Sequence, residues 1–396
     1  CSYFFIFLIV KRGKTFVTVD PRKFTFSKII IAAVFAVGIP AAVQNLLNVT
    51  GMTVLNQFAT QKGNDGVGMA RKTLFDNVLS MAQDDDVLVS LDADTLFDPQ
   101  YLQSIGDLFS QAQKLNAVSV PYYHKLSPDD AASRAILRYE LYMRSFLINL
   151  FLIDSPFAFT AIGSAIAVKV KALKKIGGIT PMKSGEDFYL LQKLRKMDFV
   201  GNWNTEMVYP AARFSSRVFF GTGPAMIKGN EGNWESYPIY QHTLFQDIKK
   251  SYDSIPELFI RDVELPISPF LAQQFKRENV FAPLRKNSKT EAQFAHAFHE
   301  KFDGLRLLQY LKLKQKELAY DDTESLRDNF LHFFGEIPPC LKNISSLESL
   351  TTSELDSLRN FLFDYEMHLR EKQHHLFFAG KCTAFVASSC SVSDYL

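Results

Sequence analysis

The feature of this sequence that most constrains its fold is an apolar run that ends in two carboxylates. Residues 87–91 read as a buried strand, and Asp92 and Asp94 follow directly. Helical spacing of apolar residues predicts a helix before the strand, over residues 69–81, and Pro99 is typical of the start of another one, over residues 99–115. Further strands alternate with helices on either side. This alternation predicts an α/β sandwich with a mostly parallel sheet.

Composition limits the class of protein. The chain has 44 Lys and Arg against 42 Asp and Glu, which gives a formal net charge of +2. A general nucleic-acid binder needs a basic excess to neutralise phosphates, so we expect no nucleic-acid partner. With 47% hydrophobic and 22% charged residues, the chain can bury a large core. At about 100–200 residues per domain it should form two or three domains.

The pattern of the sequence changes near residue 240. Before that point apolar strand-like runs, the first of them at residues 29–36, alternate with helical segments such as residues 129–152. Beyond it, amphipathic helical segments predominate between Pro and Gly turns. We therefore predict an α/β catalytic half, residues 1–240, whose N-terminal part is short, and a helical C-terminal accessory region, residues 241–396.

Two apolar stretches are candidates for membrane contact. Residues 29–61 carry no charge, but Pro40 interrupts their most apolar part, and residues 145–168 are broken by Asp154 and Pro156. A spanning helix needs about 20 consecutive apolar residues. We expect buried elements in both places, with peripheral membrane contact through residues 145–168 as the alternative. The four cysteines lack metal-ligand spacing and suit a reducing compartment, so the expected location is the cytoplasm.

Asp92 and Asp94 are candidate functional residues because they follow the carboxyl end of a predicted strand. In open α/β sheets, ligands bind at the carboxyl ends of the strands. Two carboxylates there can hold Mg²⁺ or Mn²⁺, which in turn neutralises a substrate diphosphate. The alternative is that both residues only cap the next helix or solvate a turn. A phosphatase with an Asp nucleophile also uses such a strand end, but there a threonine stands two residues beyond the second Asp, whereas here Thr95 follows Asp94 immediately.

Two further constellations follow in the chain. Glu186 and Asp187 open a predicted helix after Ser184, where a carboxylate can deprotonate a hydroxyl or simply stabilise the helix dipole. Arg213 and Arg217 lie four residues apart before a Gly-Thr-Gly turn. They can bind phosphate through bidentate contacts, or they can be ordinary surface ion-pair partners.

Taken together, residues 66–223 resemble the nucleotide-sugar-dependent glycosyltransferases of family 2, which have the GT-A fold. The resemblance rests on five motifs: GVGMARK at 66–72, LDAD at 91–94, IGSA at 162–165, GG at 177–178 and GEDF at 185–188. It covers about two fifths of the chain. It implies a Rossmann-type αβα sandwich with a mostly parallel sheet, to which the helical C-terminal region is added.

The resemblance implies inverting transfer of a sugar from a nucleoside-diphosphate sugar to a hydroxyl of a saccharide or lipid-linked acceptor. Asp94 would bind Mg²⁺ or Mn²⁺, with Asp92 beside the metal or the ribose, and Asp187 would be the catalytic base, supported by Glu186. The remaining contacts to the nucleotide and its diphosphate would come from Gly66, Gly68, Arg71, Arg213 and Arg217.

The chain also departs from the family. Val218 follows Arg217 where many relatives carry Trp, and residues 37–42, directly after the first predicted strand, lack the acidic residue expected there. The sequence therefore does not place the recognition of the nucleotide base. A non-catalytic GT-A-like binding or scaffold protein is the alternative from another class.

Histidines in the C-terminal region are weaker candidates for a metal site. His296, His299 and Glu300 share one face of a predicted helix, and His242 is a further candidate ligand. A structural zinc site normally has four ligands, and the fourth is missing here. We therefore expect packed or solvated histidines.

Overall fold

The computed structural model describes residues 5–10, 31–33, 67–92, 94–216 and 221–380. Gly66, Arg217 and most of the predicted N-terminal strand and helix lie outside the described residues. The chain divides into two compact units. The first comprises Cys1–Pro128 and Phe159–Ile227, and the second Asp129–Ala158 and Lys228–Leu396. The predicted boundary at about residue 240 lies near the last of these divisions, and the assignment of separate catalytic and accessory regions stays a prediction.

Eight strands in the described ranges belong to the first unit. They are β1 (Phe5–Val10), β2 (Ile31–Ala33), β3 (Val87–Asp92), β4 (Leu96–Phe97), β5 (Ala117–Ser119), β6 (Ile166–Lys169), β7 (Val200–Gly201) and β8 (Val208–Tyr209). Six of them form one sheet in the order β2-β1-β3-β6-β5-β7, and β4 pairs with β8 in a separate ribbon.

The six-stranded sheet is small and mixed. β1 pairs antiparallel with β2 and β3, and β6 pairs antiparallel with β3 and β5. Among the described strands only β5 and β7 run parallel. The prediction of a mostly parallel sheet is therefore wrong. Residues 87–91 are all buried, as in a strand covered on both faces, but such an apolar run records burial and carries no information about the direction of the neighbouring strand.

Fifteen α-helices are present in the described part of the chain. They are α1 (Val67–Met81), α2 (Tyr101–Gln111), α3 (Asp130–Leu152), α4 (Val170–Lys175), α5 (Glu186–Met197), α6 (Thr222–Asn230), α7 (His242–Asp253), α8 (Ile255–Ile260), α9 (Ser268–Phe275), α10 (Ala282–Asn287), α11 (Glu291–Lys301), α12 (Gly304–Glu317), α13 (Asp322–Phe334), α14 (Pro339–Lys342) and α15 (Thr352–Phe378). The α/β character of the N-terminal part and the helical character of the C-terminal part are confirmed.

Helix α1 illustrates why the predicted elements form. Leu74, Phe75 and Val78 lie on one face and are buried in the core of the first unit. Helix α2 begins at Tyr101, two residues later than Pro99, because residues 99 and 100 form a turn. In the sequence, α1 precedes β3 and α2 follows it. The last residue of β3, Asp92, is partly exposed.

The second unit contains a buried network of charges between α3 and α15. Arg144 contacts Glu140 at 2.9 Å and Glu366 at 2.8 Å, Arg359 contacts Glu140 at 3.2 Å, and Arg370 contacts Glu366 at 2.7 Å. All five side chains are at most 1% exposed. Buried charges need such partners, because a lone one is costly to desolvate.

The apolar residues of α3 also lie in this unit. Leu147, Ile148, Leu150 and Phe151 belong to a core that includes residues of α7, α13 and α15. None of the helices within the described ranges combines the length and the apolar character that crossing a membrane requires.

Candidate active site

Three segments of the first unit meet at the buried side chain of Arg71 in α1. Its Nη1 donates to the hydroxyl of Ser90 and, at 2.7 Å, to the main-chain carbonyl of Gly163. Its Nη2 donates to Oδ1 of Asp92 at 3.1 Å, and its Nε lies 3.1 Å from Oε1 of Glu186. The side chain of Arg71 is only 3% exposed. One guanidinium thus connects the end of β3, the segment before β6 and the start of α5.

Two glycines make this arrangement sterically feasible. A Cβ on Gly163 would lie 2.4 Å from Nη2 of Arg71, so a side chain there would displace the guanidinium. A Cβ on Gly68 would lie 2.0 Å from the carbonyl oxygen of Met182, so α1 can approach the segment before α5 only with glycine at this position. Gly68 therefore has a packing role, and its predicted contact with a nucleotide stays a prediction.

The two acidic residues in the first turn of α5, Glu186 and Asp187, have different surroundings. Gly185, the N-cap residue, has φ of 75° in the left-handed region that favours glycine. Glu186 is buried against Arg71, whereas Asp187 is partly exposed. Oδ1 of Asp187 accepts a hydrogen bond of 2.7 Å from the main-chain N–H of Phe188. The stabilising role at the helix start is therefore present, and it leaves the second oxygen of Asp187 for other contacts.

Burial and neighbouring charges raise the pKa of two carboxyl groups in this site. Loss of hydration and the charge of Glu186 raise the pKa of Asp187 to about 7, although Arg71 and the Phe188 N–H act in the opposite direction. The pKa of Asp92 is also raised, first by burial and then by Asp94 and Glu186, against the lowering effect of Arg71. A carboxylate that titrates near neutral pH is suited to accept a proton during a reaction.

Asp94 forms a second ion pair at the edge of the site. Nη2 of Arg213 contacts Oδ2 of Asp94, and the two side chains are 47% and 34% exposed. The ribbon of β4 and β8 brings these residues together, because β4 follows Asp94, β8 precedes Arg213, and Leu96 pairs with Tyr209. The structure therefore shows the ion-pair role of Arg213, and its contact with phosphate stays a prediction.

The number and the exposure of the carboxylates at Asp92 and Asp94 show what kind of metal site they could form. In the part of the chain that the structure describes, no group of three or more His, Cys, Asp or Glu side chains is placed to hold a metal ion. Mg²⁺, however, commonly takes only one or two carboxylates and completes its coordination with water and substrate phosphate oxygens. Both aspartate side chains are about one third exposed and therefore accessible to a ligand. The pair fits a metal that arrives with a diphosphate and does not fit a closed protein cage.

The three histidines considered as metal ligands in the sequence analysis contact protein side chains of the second unit. The ring of His299 is buried and packs edge-on against Tyr252, with their centroids 4.9 Å apart. His296 lies 3.7 Å from Glu300, and His242 pairs with Asp328.

The structure thus brings Arg71, Asp92 and Glu186 into contact and pairs Asp94 with Arg213. Sequence reasoning missed Ser90 and the role of Gly163. A single hydroxyl inside the apolar run 87–91 was the only signal for Ser90. Comparison of the chain with known protein families, curated proteins and solved structures finds no match.

Proposed function

We propose that this chain is a metal-dependent, inverting glycosyltransferase of GT-A type, which transfers a sugar from a nucleoside-diphosphate sugar to an acceptor hydroxyl. The observation that carries the proposal is the contact of Arg71 with both Asp92 and Glu186. It joins the two acidic motifs, which in the resemblance serve the donor and the acceptor, around a single buried side chain.

The donor half of the proposed site consists of Asp92, Asp94 and the arginines. Asp94, with Asp92 beside it, would hold Mg²⁺ or Mn²⁺, which when bound offsets negative charge on the departing nucleoside diphosphate. By the resemblance, Arg213 and Arg217 would bind diphosphate oxygens through charge-assisted hydrogen bonds. Because the guanidinium of Arg71 is engaged by protein groups, we assign it a positioning role, and contact with the nucleotide is left to Gly66 and Gly68.

The acceptor half depends on Asp187. Its carboxylate takes the proton from a hydroxyl of the saccharide or lipid-linked acceptor as that oxygen forms a bond to the anomeric carbon. The bond from the same carbon to the diphosphate oxygen breaks on the opposite face, so the configuration is inverted. Glu186 supports the base, because its charge strengthens the proton affinity of Asp187.

Calorimetric titration with a panel of nucleoside-diphosphate sugars in the presence of Mn²⁺ tests the donor half. We expect one class of donor to bind, and we expect Asp94→Asn to weaken that binding by about tenfold or more, as for the loss of a charged partner. Asp84→Asn is the matched control, because this exposed carboxylate of the same unit pairs only on the surface with Lys174.

The other outcomes of this experiment identify the alternatives. Failure of every donor to bind would favour the non-catalytic scaffold. Metal-dependent hydrolysis of a simple aryl phosphate, without donor binding, would favour the phosphatase.

The pH dependence of transfer tests the role of Asp187 as a base. Because its pKa is raised to about 7, the carboxyl group is protonated and inactive in acid and becomes competent as the pH rises. We expect kcat/KM to rise about tenfold per pH unit below about pH 7 and to level off above it. Donor binding measured over the same range is the control for titration of Asp92. A profile that is flat from about pH 5 to about pH 8 would contradict this assignment.

A further inference from the structure

We propose that Arg213 and the catalytic metal ion are alternative partners of the Asp94 carboxylate. In the donor-free protein Arg213 neutralises Asp94, and when metal and donor bind, its guanidinium passes to the diphosphate of the donor. This inference rests on the proposed function and adds an order of events at the same site.

The two aspartates of the site are each paired with an arginine, but the two pairs differ in exposure. Arg71 is 3% exposed; it also donates hydrogen bonds to Ser90 and Gly163 and forms an ion pair with Glu186, so its removal from Asp92 would disturb buried polar groups. Arg213 is 47% exposed. An exposed ion pair contributes little to stability and opens readily in water. The ion pair of Asp92 is therefore anchored by a buried partner, whereas the ion pair between Asp94 and Arg213 is exposed and can open.

The main chain around Arg213 is braced independently of its side chain. β8 pairs with β4, the Tyr209 hydroxyl donates to Asp98 at 3.4 Å, and the ammonium group of Lys125 lies 4.1 Å from the centre of the Tyr209 ring. These contacts involve β8, whose two residues lie four and five positions before Arg213, and none of them uses the guanidinium. When the guanidinium leaves Asp94, the main chain of Arg213 therefore stays in place. Its side chain remains next to the site and within reach of a ligand bound there.

The chemistry of the exchange follows from charge. A guanidinium binds carboxylate and phosphate with the same planar pairs of hydrogen bonds. A divalent cation on Asp94 repels an arginine on the same carboxylate, and a diphosphate offers that arginine a new anionic partner. By thermodynamic linkage, Arg213 should therefore weaken the binding of metal alone and strengthen the binding of metal with diphosphate.

The test compares wild type with Arg213→Gln in two titrations that need no transfer activity. In the first, electron paramagnetic resonance measures Mn²⁺ binding to the donor-free protein, and we expect the variant to bind Mn²⁺ about two- to fivefold more tightly, as for the loss of an exposed ion pair. In the second, calorimetry measures binding of the Mn²⁺–pyrophosphate complex, and we expect the variant to bind it about tenfold or more weakly. Opposite signs in the two titrations are the signature of the exchange.

Two controls separate this inference from the proposed function. Lys174→Gln removes the same charge from an exposed ion pair of the first unit and should change neither titration. Asp94→Asn should abolish the Mn²⁺ binding in both the wild-type and the Arg213→Gln background.

Equal or weaker Mn²⁺ binding by donor-free Arg213→Gln overturns the inference and leaves the glycosyltransferase proposal standing. Mn²⁺ binding that survives Asp94→Asn overturns both the metal assignment and the exchange.

Discussion

Asp187→Asn should lower kcat by about 10²- to 10⁴-fold, the usual contribution of a general base. Asparagine has nearly the same shape and its oxygen can still accept the hydrogen bond from the N–H of Phe188, but it does not take up a proton. Donor affinity, measured by calorimetry, should stay close to that of the wild type, because the donor is bound by other residues. The Asp84→Asn variant serves as the control, and unchanged turnover of Asp187→Asn would refute the base assignment.

The same variant should be more stable than the wild type at neutral and alkaline pH. Asp187 has a pKa of about 7 in the folded protein against an ordinary value of 3.8, so the folded state binds the proton more tightly than the unfolded state. Wild-type stability therefore falls as the pH rises between these values, and this loss is absent from the asparagine variant. Thermal unfolding should show a higher Tm for Asp187→Asn at about pH 8 and a smaller difference below about pH 4. Lost activity together with a raised Tm excludes misfolding as the cause.

Arg71→Met should destabilise the protein by about 3–5 kcal/mol, the range for removing one partner of a buried ion pair. The methionine fills much of the same space but leaves Asp92 and Glu186 without their cation and removes one of the two donors to the carbonyl of Gly163, where only the Ser90 hydroxyl remains. Urea unfolding measures the loss. Lys72→Met is the matched control in the same helix, because Lys72 is partly exposed and pairs with Asp76 on the surface, and its effect should be within about 0.5 kcal/mol.

Two further variants show whether the charge of Arg71 is responsible. Arg71→Lys keeps the charge but loses the fork of donors, so its stability should lie between those of wild type and Arg71→Met. Adding Glu186→Gln to Arg71→Met removes one uncompensated charge and should recover part of the stability, which a double-mutant cycle quantifies. A loss below about 1 kcal/mol for Arg71→Met would be that of a surface pair and would contradict the buried connection.

The elements of the fold that could be predicted are those with a strong local pattern. The periodicity of Leu74 and Val78 predicts α1, and the apolar run before Asp92 predicts β3. Strand direction could not be predicted in the same way. A strand that is covered on both faces has the same apolar sequence whether the adjacent strands run parallel or antiparallel to it. Nor does periodicity show that α3, which interrupts the first unit in the sequence, packs in the second.

Prediction of the site was limited by distance along the chain. The sequence identifies the acidic residues by their positions at a strand end and a helix start. The resemblance implies a nucleotide contact for Arg71, which stays a prediction, but no pattern in the sequence indicates that Arg71 donates to the carbonyl of Gly163, 92 residues away. A contact of this kind depends on tertiary packing and leaves no periodic pattern. The hydroxyl of Ser90 is bonded to the same carbonyl for the same reason.

The charge network of the second unit has a consequence for synthesis on the ribosome. Arg144 and Glu366 are 222 residues apart in the chain, so at about 5–20 residues per second some 10–45 s pass between their translation. Until α15 emerges, Glu140 and Arg144 face water or a chaperone without Arg359 and Glu366. The second unit can therefore close only late, after the chain of the first unit is complete. A nascent chain that stops before Glu366 would leave α3 with its charged face uncovered and open to proteolysis.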